Sequence, residues 1–317
     1  MHERFRPDDV DTWRRDGAMV LRELFTSAEV AAVRADFETV FARSGGGEAP
    51  LVKRQPGELG RFHPAQFGTF EAIPLDCSPA LNLIGVHPAL IAFARAALGV
   101  TDVRLYQSQV WAKFTGDADY DQPFHCDFVN HTLTAPSEDL LANPVTFLCF
   151  FSDVSEAHGP THYVTRPDAQ PVTGPEATFS TDPAVQAPLP RQLAALARSN
   201  AAPAGSVFAY GIDIWHRGTN MTVPRGHRYA VTATFKRAGD DAIGYHAWPF
   251  HHTKPWARIF DHASPEQLAC FGVQPPGHPF WTPETLRRAQ ARYPGWDMTP
   301  YRQTLASKPR AKLQVQP

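Results

Sequence analysis

His125-Cys126-Asp127 is the segment of this chain with the most evident capacity for chemistry. In an extended backbone, residues i and i+2 point to the same side, so the His125 imidazole and the Asp127 carboxylate converge on one point. A second histidine from elsewhere completes the two-histidine, one-carboxylate facial triad of non-haem iron sites, which leaves the opposite face of the octahedron open. An H-x-D triplet alone is weak in a chain with 14 histidines. His216 strengthens it: the run Ala204 to Tyr210 reads as a turn and a strand that leads through Trp215 to His216, 89 residues after Asp127. Arg228 follows 12 residues later at the head of another strand. Its planar fork suits a carboxylate held by two parallel hydrogen bonds, and its same-side neighbour Ala230 leaves room for one. The plainer alternative for Arg228 is a surface arginine at a strand end.

A second set of residues precedes the triplet. In Tyr106 to Lys113 the side chains of Gln107, Gln109, Trp111 and Lys113 alternate onto one side. Polar groups at that period suit a wet cavity or, equally, an exposed outer face. Cys126, between two ligands, points away from any metal. His131 either reaches a substrate or caps a loop. His246, His251 and His252, near Trp248 and Trp256, form either a second metal site or part of an aromatic-rich wrap.

The elements that must position these groups are of two kinds. The first hundred residues read as helical. Asp8 to Arg15 is a short helix with Trp13 inward, Thr26 to Glu29 is a capping box that opens a helix ended by Gly45 to Gly47, and Pro88 to Leu98 is a helix stopped by Gly99. From Val103 the texture changes. Val103 to Phe114, Val145 to Val154, Thr161 to Thr165, Ser206 to Ile214 and Arg228 to Lys236 are strand-length and bounded by Gly, Pro or Asp. Strands without regular intervening helices predict a sandwich or double-sheet barrel. The stretch 166–205, with one helical patch near Arg191 to Arg198, reads as a long insertion that serves as a lid or substrate wall. The expected organisation is one elaborated domain over 1–317: a mainly helical scaffold (1–100), a β core (101–237) and a C-terminal wrap (238–317).

Composition bounds the partners. The formal net charge is −2, with 30 basic and 32 acidic residues, and it carries no electrostatic footprint for nucleic acid. No uninterrupted apolar run of membrane-spanning length is present, and the start MHERFRPDDVD does not read as a secretory signal. Cys77, Cys126, Cys149 and Cys270 lie far apart with no C-x-x-C pair, as expected of free thiols in a cytoplasmic protein.

With these motifs in order, the chain resembles the phytanoyl-CoA dioxygenase-like group of Fe(II)/2-oxoglutarate-dependent oxygenases. The resemblance rests on H-x-D at His125, the strand from Val145, the His158-Gly159 turn, the Ala204-Gly205-Ser206 strand, the turn from His216 to Asn220, and Arg228 opening the next strand. It implies a mainly β fold with flanking helices, a double-stranded β-helix of the jelly-roll, cupin-like type. It implies that His125, Asp127 and His216 hold Fe(II), and that Arg228 anchors 2-oxoglutarate, with O2 as the other co-substrate. Arg225 competes for the anchoring role, and Gln107, Gln109, Lys113 and Thr222 are further candidates for the pocket wall or the co-substrate. The chain departs from the group in reading Tyr163 to Asp168 where P-G-S-H is common, so the group's namesake acyl-CoA need not be its substrate.

The resulting expectation is a hydroxylase of a small molecule that releases succinate and CO2. The presence of Asp127 speaks against halide transfer. Two other classes stay open on the residues: a jelly-roll metal-binding or sensor protein without turnover, and a zinc hydrolase using the same three ligands. Neither the substrate nor the oligomeric state is legible.

Overall fold

The computed structural model describes residues 4–43, 71–73, 76–116, 121–131, 137, 139–174, 177, 183–240, 243 and 255–306. Proline, glycine and side-chain caps delimit its elements. Helix α1 (Pro7–Asp16) has proline in its first turn, Asp8 and Asp9 beside the positive end of its dipole, and Gly17 at φ 76° closing it. Trp13 on its inner face is buried. Strand β1 (Ala18–Leu21) follows at once, in a region read from sequence as helical. Helix α2 (Ser27–Arg43) opens on the expected capping box, with the Thr26 N–H donating to Glu29 Oε2 at 2.8 Å and the Glu29 N–H to Thr26 Oγ1 at 3.3 Å. Its expected glycine stop lies outside the described residues.

After β2 (Glu71–Ala72) come α3 (Pro79–Ile84) and α4 (Pro88–Leu98), which Gly99 closes at φ 66°. The span Pro79–Leu98 is apolar and long enough by composition to cross a membrane. It is nonetheless two helices parted at Gly85, and 67% of its most apolar window is buried inside the protein. Its Leu90, Ile91 and Phe93 are fully covered and share one core with Phe147 and Phe235 of the sheet.

The remaining strands are β3 (Val103–Phe114), β4 (Val145–Phe150), β5 (Thr161–Tyr163), β6 (Arg198–Ser199), β7 (Val207–Gly211), β8 (His216–Gly218) and β9 (His227–Arg237). They form a six-stranded sheet in the order β1-β7-β4-β9-β3-β2 and a three-stranded sheet in the order β6-β5-β8, antiparallel throughout. This is the double-stranded β-helix. The N-terminal helices cover the outer face of the large sheet, and its inner face looks onto the small one. The strand expected over Val145 to Val154 leaves the ladder after Phe150, and Val154 makes only an isolated bridge to Ala202.

The helical patch expected near Arg191 to Arg198 lies at Leu189–Leu196, and the insertion holds more helix than that. It holds α6 (Arg166–Thr173), α7 (Pro183–Gln186) and α8 (Leu189–Leu196), while Arg198 belongs to β6; the short helix α5 (Phe128–His131) precedes them. Ala169, Leu189 and Leu193 pack with Ile212 and Trp215, behind the segment that carries His216. Among the described residues of the insertion none lines the central cavity; those that pack behind His216 act as a buttress to the site, where a lid or substrate wall was expected. Apolar spacing on α8 explains the difference: a helix with one apolar face buries it on the nearest core.

At the C-terminus α9 (Ala257–Phe260), α10 (Pro265–Cys270), α11 (Pro283–Arg292) and α12 (Thr299–Ala306) surround a second aromatic core of Ile259, Leu268, Trp281, Trp296, Met298 and Tyr301. His246, His251 and His252 lie outside the described residues. All four cysteines are free thiols.

Candidate metal centre

The short strand β8 and the segment before α5 bring the three expected ligands together. His125 and His216 form an isolated antiparallel bridge, each N–H donating to the other's carbonyl at 2.9 Å. The ligand atoms of His125, Asp127 and His216 all lie within 4.8 Å of one another. His125 Nε2 is 3.7 Å from Asp127 Oδ1, and His216 Nε2 is 3.5 Å from Asp127 Oδ2.

Both histidines are oriented by the same local device. His125 Nδ1 lies 2.9 Å from the Pro123 carbonyl and His216 Nδ1 2.9 Å from the Ile214 carbonyl. A carbonyl only accepts, so each Nδ1 carries the proton and each Nε2 presents its lone pair to the cluster. Burial pushes the His216 imidazole below its ordinary pKa, against the attraction of Asp127. Burial opposes the charge on Asp127, yet His216, His125 and His131, with a hydrogen bond from Tyr210, hold it below the usual carboxylate range. The Tyr210 hydroxyl donates to Asp127 Oδ2 at 3.2 Å. Two neutral imidazoles and one ionised carboxylate, converging and with their outer atoms already fixed, suit a divalent transition ion of the ferrous type.

The cluster opens on a cavity of about 320 Å³ between the sheets. Its floor is the large sheet, where register sets inward side chains in rows. Lys113 pairs with Arg228; Trp111 lies level with Ala230 and Phe150; Gln109 with Thr232, Leu148 and Phe208; Gln107 with Thr234, Thr146 and Tyr210. A slip of register between Leu105 and Gln107 makes Tyr106 an extra residue on β3. Leu105 therefore stays with the helix-side core, while Tyr106 and Gln107 both turn inward.

The row at one end is cationic. Arg228 is 1% exposed and its guanidinium lies 4.7 Å from the centre of the Trp111 ring, a cation–π contact. Its Nη1 donates to the Gly159 carbonyl, while its Nε is buried without a hydrogen-bond partner. Burial pushes its pKa down to about 9. Lys113, 2% exposed, donates to the Thr219 carbonyl at 3.0 Å, and burial followed by the neighbouring Arg228 holds it well below the usual lysine range. Among the described residues no carboxylate pairs with either cation; Asp121 is engaged by Arg217 at 3.6 Å and by the Asn220 N–H at 2.8 Å. Buried charge without a counter-ion is costly, so this end is built for an anionic ligand. Gly159 is needed at its rim: it has φ 65°, and a Cβ there would lie 2.6 Å from the Thr219 carbonyl.

The cavity thus gathers His125, Asp127, His216, Gln107, Gln109, Lys113 and Arg228. It does not include Thr222, which is exposed and whose N–H donates to the Ala157 carbonyl at 2.8 Å; the turn after His216 carries it outward. Arg225 is also exposed, in the turn before β9. His131 is buried on the cavity wall, 2.6 Å from the Tyr106 hydroxyl. The Cys126 Sγ points away, to the Asp213 carbonyl at 3.3 Å. Sequence reasoning passed over Tyr210 and Thr146, although strand alternation puts Tyr210 on the face of Phe208 and Thr146 on that of Leu148.

The comparisons with known proteins agree with this geometry. A sequence model of the family described as phytanoyl-CoA dioxygenase (PhyH) matches residues 13–225. No curated protein sequence matches the chain. Among solved structures, the non-heme alpha ketoglutarate dependent carbocyclase SnoK from nogalamycin biosynthesis shares 19% identity over 79% of this chain and 90% of that one, with a TM-score of 0.55. The epimerase SnoN, in complex with Fe3+, alpha ketoglutarate and nogalamycin RO, shares 18% over 76% and 88%, with a TM-score of 0.52. EctD from S. alaskensis, with 2-oxoglutarate and 5-hydroxyectoine, shares 15% over 74% and 77%, with a TM-score of 0.54. Identities this low speak to the fold alone. The family match covers most of the chain and spans all three converging ligands, and on that ground the chain belongs to the phytanoyl-CoA dioxygenase family of Fe(II)/2-oxoglutarate-dependent oxygenases.

Proposed function

We propose that the chain hydroxylates a small molecule at the expense of 2-oxoglutarate and O2. The balance is one C–H bond, one O2 and one 2-oxoglutarate converted to one C–OH, one succinate and one CO2. The observation that carries this reading is the pairing of two features in one cavity: a His-Asp-His cluster, and a buried Arg228–Lys113 pair with no acidic partner among the described residues. A zinc hydrolase has use for the first and none for the second.

In this reading His125, Asp127 and His216 hold the ferrous ion, which with 2-oxoglutarate supplies the oxidising power when bound. Arg228 orients the distal carboxylate of the co-substrate, with Lys113 lending charge beside it. The Trp111 ring shields the guanidinium, and Ala230 leaves the space that a longer side chain would fill. Tyr210 holds one oxygen of Asp127, which steadies the carboxylate as a ligand. Leu148 and Phe208 line the cavity with apolar surface and limit water near the reacting C–H bond.

The test is spectroscopic. Adding Fe(II) and 2-oxoglutarate to the anaerobic apoprotein is expected to give a visible charge-transfer band, and admitting air to release succinate. The absence of a band overturns the oxygenase reading; a band without succinate in air leaves a metal-binding or sensor protein.

A further inference from the structure

The end of the cavity remote from the cations has its own chemistry. Gln107 and Lys113 are six positions apart on β3, about 20 Å along a strand. A five-carbon diacid spans about 7 Å between its outermost oxygens at ordinary bond lengths. Anchored at Arg228, it points toward the metal cluster, and the row of Gln107, Thr146 and Tyr210, whose Tyr210 hydroxyl touches Asp127, lies at the metal end of the floor.

This row is polar, uncharged and partly unpaired. Thr146, 2% exposed and facing the cavity, has a buried Oγ1 without a hydrogen-bond partner. Beside it the Thr234 hydroxyl donates to Gln107 Oε1 at 3.1 Å, and Gln107 Nε2 donates to Gln109 Oε1 at 2.9 Å. The relay ends on the Gln109 amide NH2, which faces the cavity as a donor. His131, on the cavity wall, is paired with the Tyr106 hydroxyl. A buried hydroxyl left unpaired costs free energy that a ligand hydroxyl recovers, since it both donates and accepts. An alkyl chain here would leave the Thr146 hydroxyl and the free amide hydrogens of Gln109 unsatisfied.

Resting on the oxygenase reading, we infer that this row is the substrate subsite and that the substrate is an uncharged, polyhydroxylated small molecule, of the sugar or cyclitol type, not an acyl chain. Thr146 and Gln109 grip its hydroxyl groups and thereby choose the carbon presented to the metal centre. They are specificity residues and take no part in holding iron or 2-oxoglutarate.

The experiment is ligand-observed NMR by saturation transfer. The full chain is loaded with Zn(II) and 2-oxoglutarate, and the probes are an equimolar mixture of monosaccharides, inositols and their methyl ethers, set against C4 to C12 carboxylic acids. Saturation transfer to the hydroxylated set is expected, weakened about tenfold or more in Thr146→Val and Gln109→Leu. Thr146→Val has a second readout, because replacing an unpaired buried hydroxyl by a methyl is expected to leave the melting temperature of the ligand-free protein equal or higher. Three results would overturn the proposal: no transfer to the hydroxylated set, preference for the acids, or binding unchanged in both variants. Loss of the Fe(II)–2-oxoglutarate band in the wild-type protein would instead strike the oxygenase reading itself, so the two failures are told apart.

Discussion

The two sheets of the barrel hold their functional groups by different means. On the large sheet, Lys113 and Arg228 sit on strands of 12 and 11 residues, in a ladder unbroken from Gln107 to Phe114. Their position follows from that pairing, and their chemistry from burial. On the small sheet, His216 opens a strand of only 3 residues and His125 belongs to a single bridge. So short a ladder cannot orient an imidazole, and the two backbone carbonyls do so instead. The contrast teaches that a long strand can place a charge by register alone, whereas a ligand on a short one needs a hydrogen bond of its own.

The comparison can be broken first on the side of the small sheet. Asp127→Ala removes the one charged ligand and is expected to abolish both the visible band and succinate release; turnover retained in this variant would mean that the metal lies elsewhere. On the large sheet, Arg228→Ala is expected to raise the 2-oxoglutarate requirement roughly 100-fold, equivalent to about 3 kcal/mol for truncating one partner of a buried charge pair. The turnover number at saturation should change far less. An unchanged requirement would assign the anchor to Lys113.

Between these extremes, Tyr210→Phe deletes the hydroxyl on Asp127 Oδ2 and is expected to weaken metal binding about tenfold, measured by titration with Co(II). Full affinity in that variant would show that the histidine carbonyl bonds suffice. Behind the small sheet, Arg166 joins Asp213 at 2.5 and 3.0 Å and donates to the Arg14 carbonyl at 3.1 Å, tying the insertion to α1. Arg166→Ala is expected to cost about 2 kcal/mol in urea unfolding.

The smallest effect concerns acid. Burial would raise Glu29, but hydrogen bonds from Arg4, the Thr26 backbone and His87 hold it far below its ordinary value of 4.5. A carboxylate depressed in the folded state contributes stability that is complete above its unfolded pKa and is lost as pH falls through the folded one. Glu29→Gln should therefore be less stable than the wild type near neutrality, with the gap narrowing below pH 4.5. A gap that stays constant on acidification would show that Glu29 acts by shape and not by charge.

Much of the site was legible because it depends on short-range spacing. The same-side rule joined His125 to Asp127, and strand alternation put Gln107, Gln109, Trp111 and Lys113 on one face. Local signals also marked the capping box at Thr26 and the stop at Gly99. The misses share a cause. Thr222 lies close to His216 in the chain, but the backbone turns it outward. The strand β1 carries no strong pattern of its own and exists because the edge of β7 was open to pair with it. The prolines of the insertion conceal most of its helix in the sequence, whereas its apolar residues bury against a core.

Residue types alone determined which chemistry is available here: two imidazoles and a carboxylate for a metal, a guanidinium for an acid, and alternating β segments to carry them. Only the folded chain decided which face of each strand looks inward, because a single extra residue at Tyr106 reverses that choice for the rest of β3. It also decided that, among the described residues, Arg228 and Lys113 lack an acidic partner and the Thr146 hydroxyl stands unpaired. Those properties belong to neighbours brought together across sequence distances that no local pattern spans, and burial then gives them their electrostatic weight.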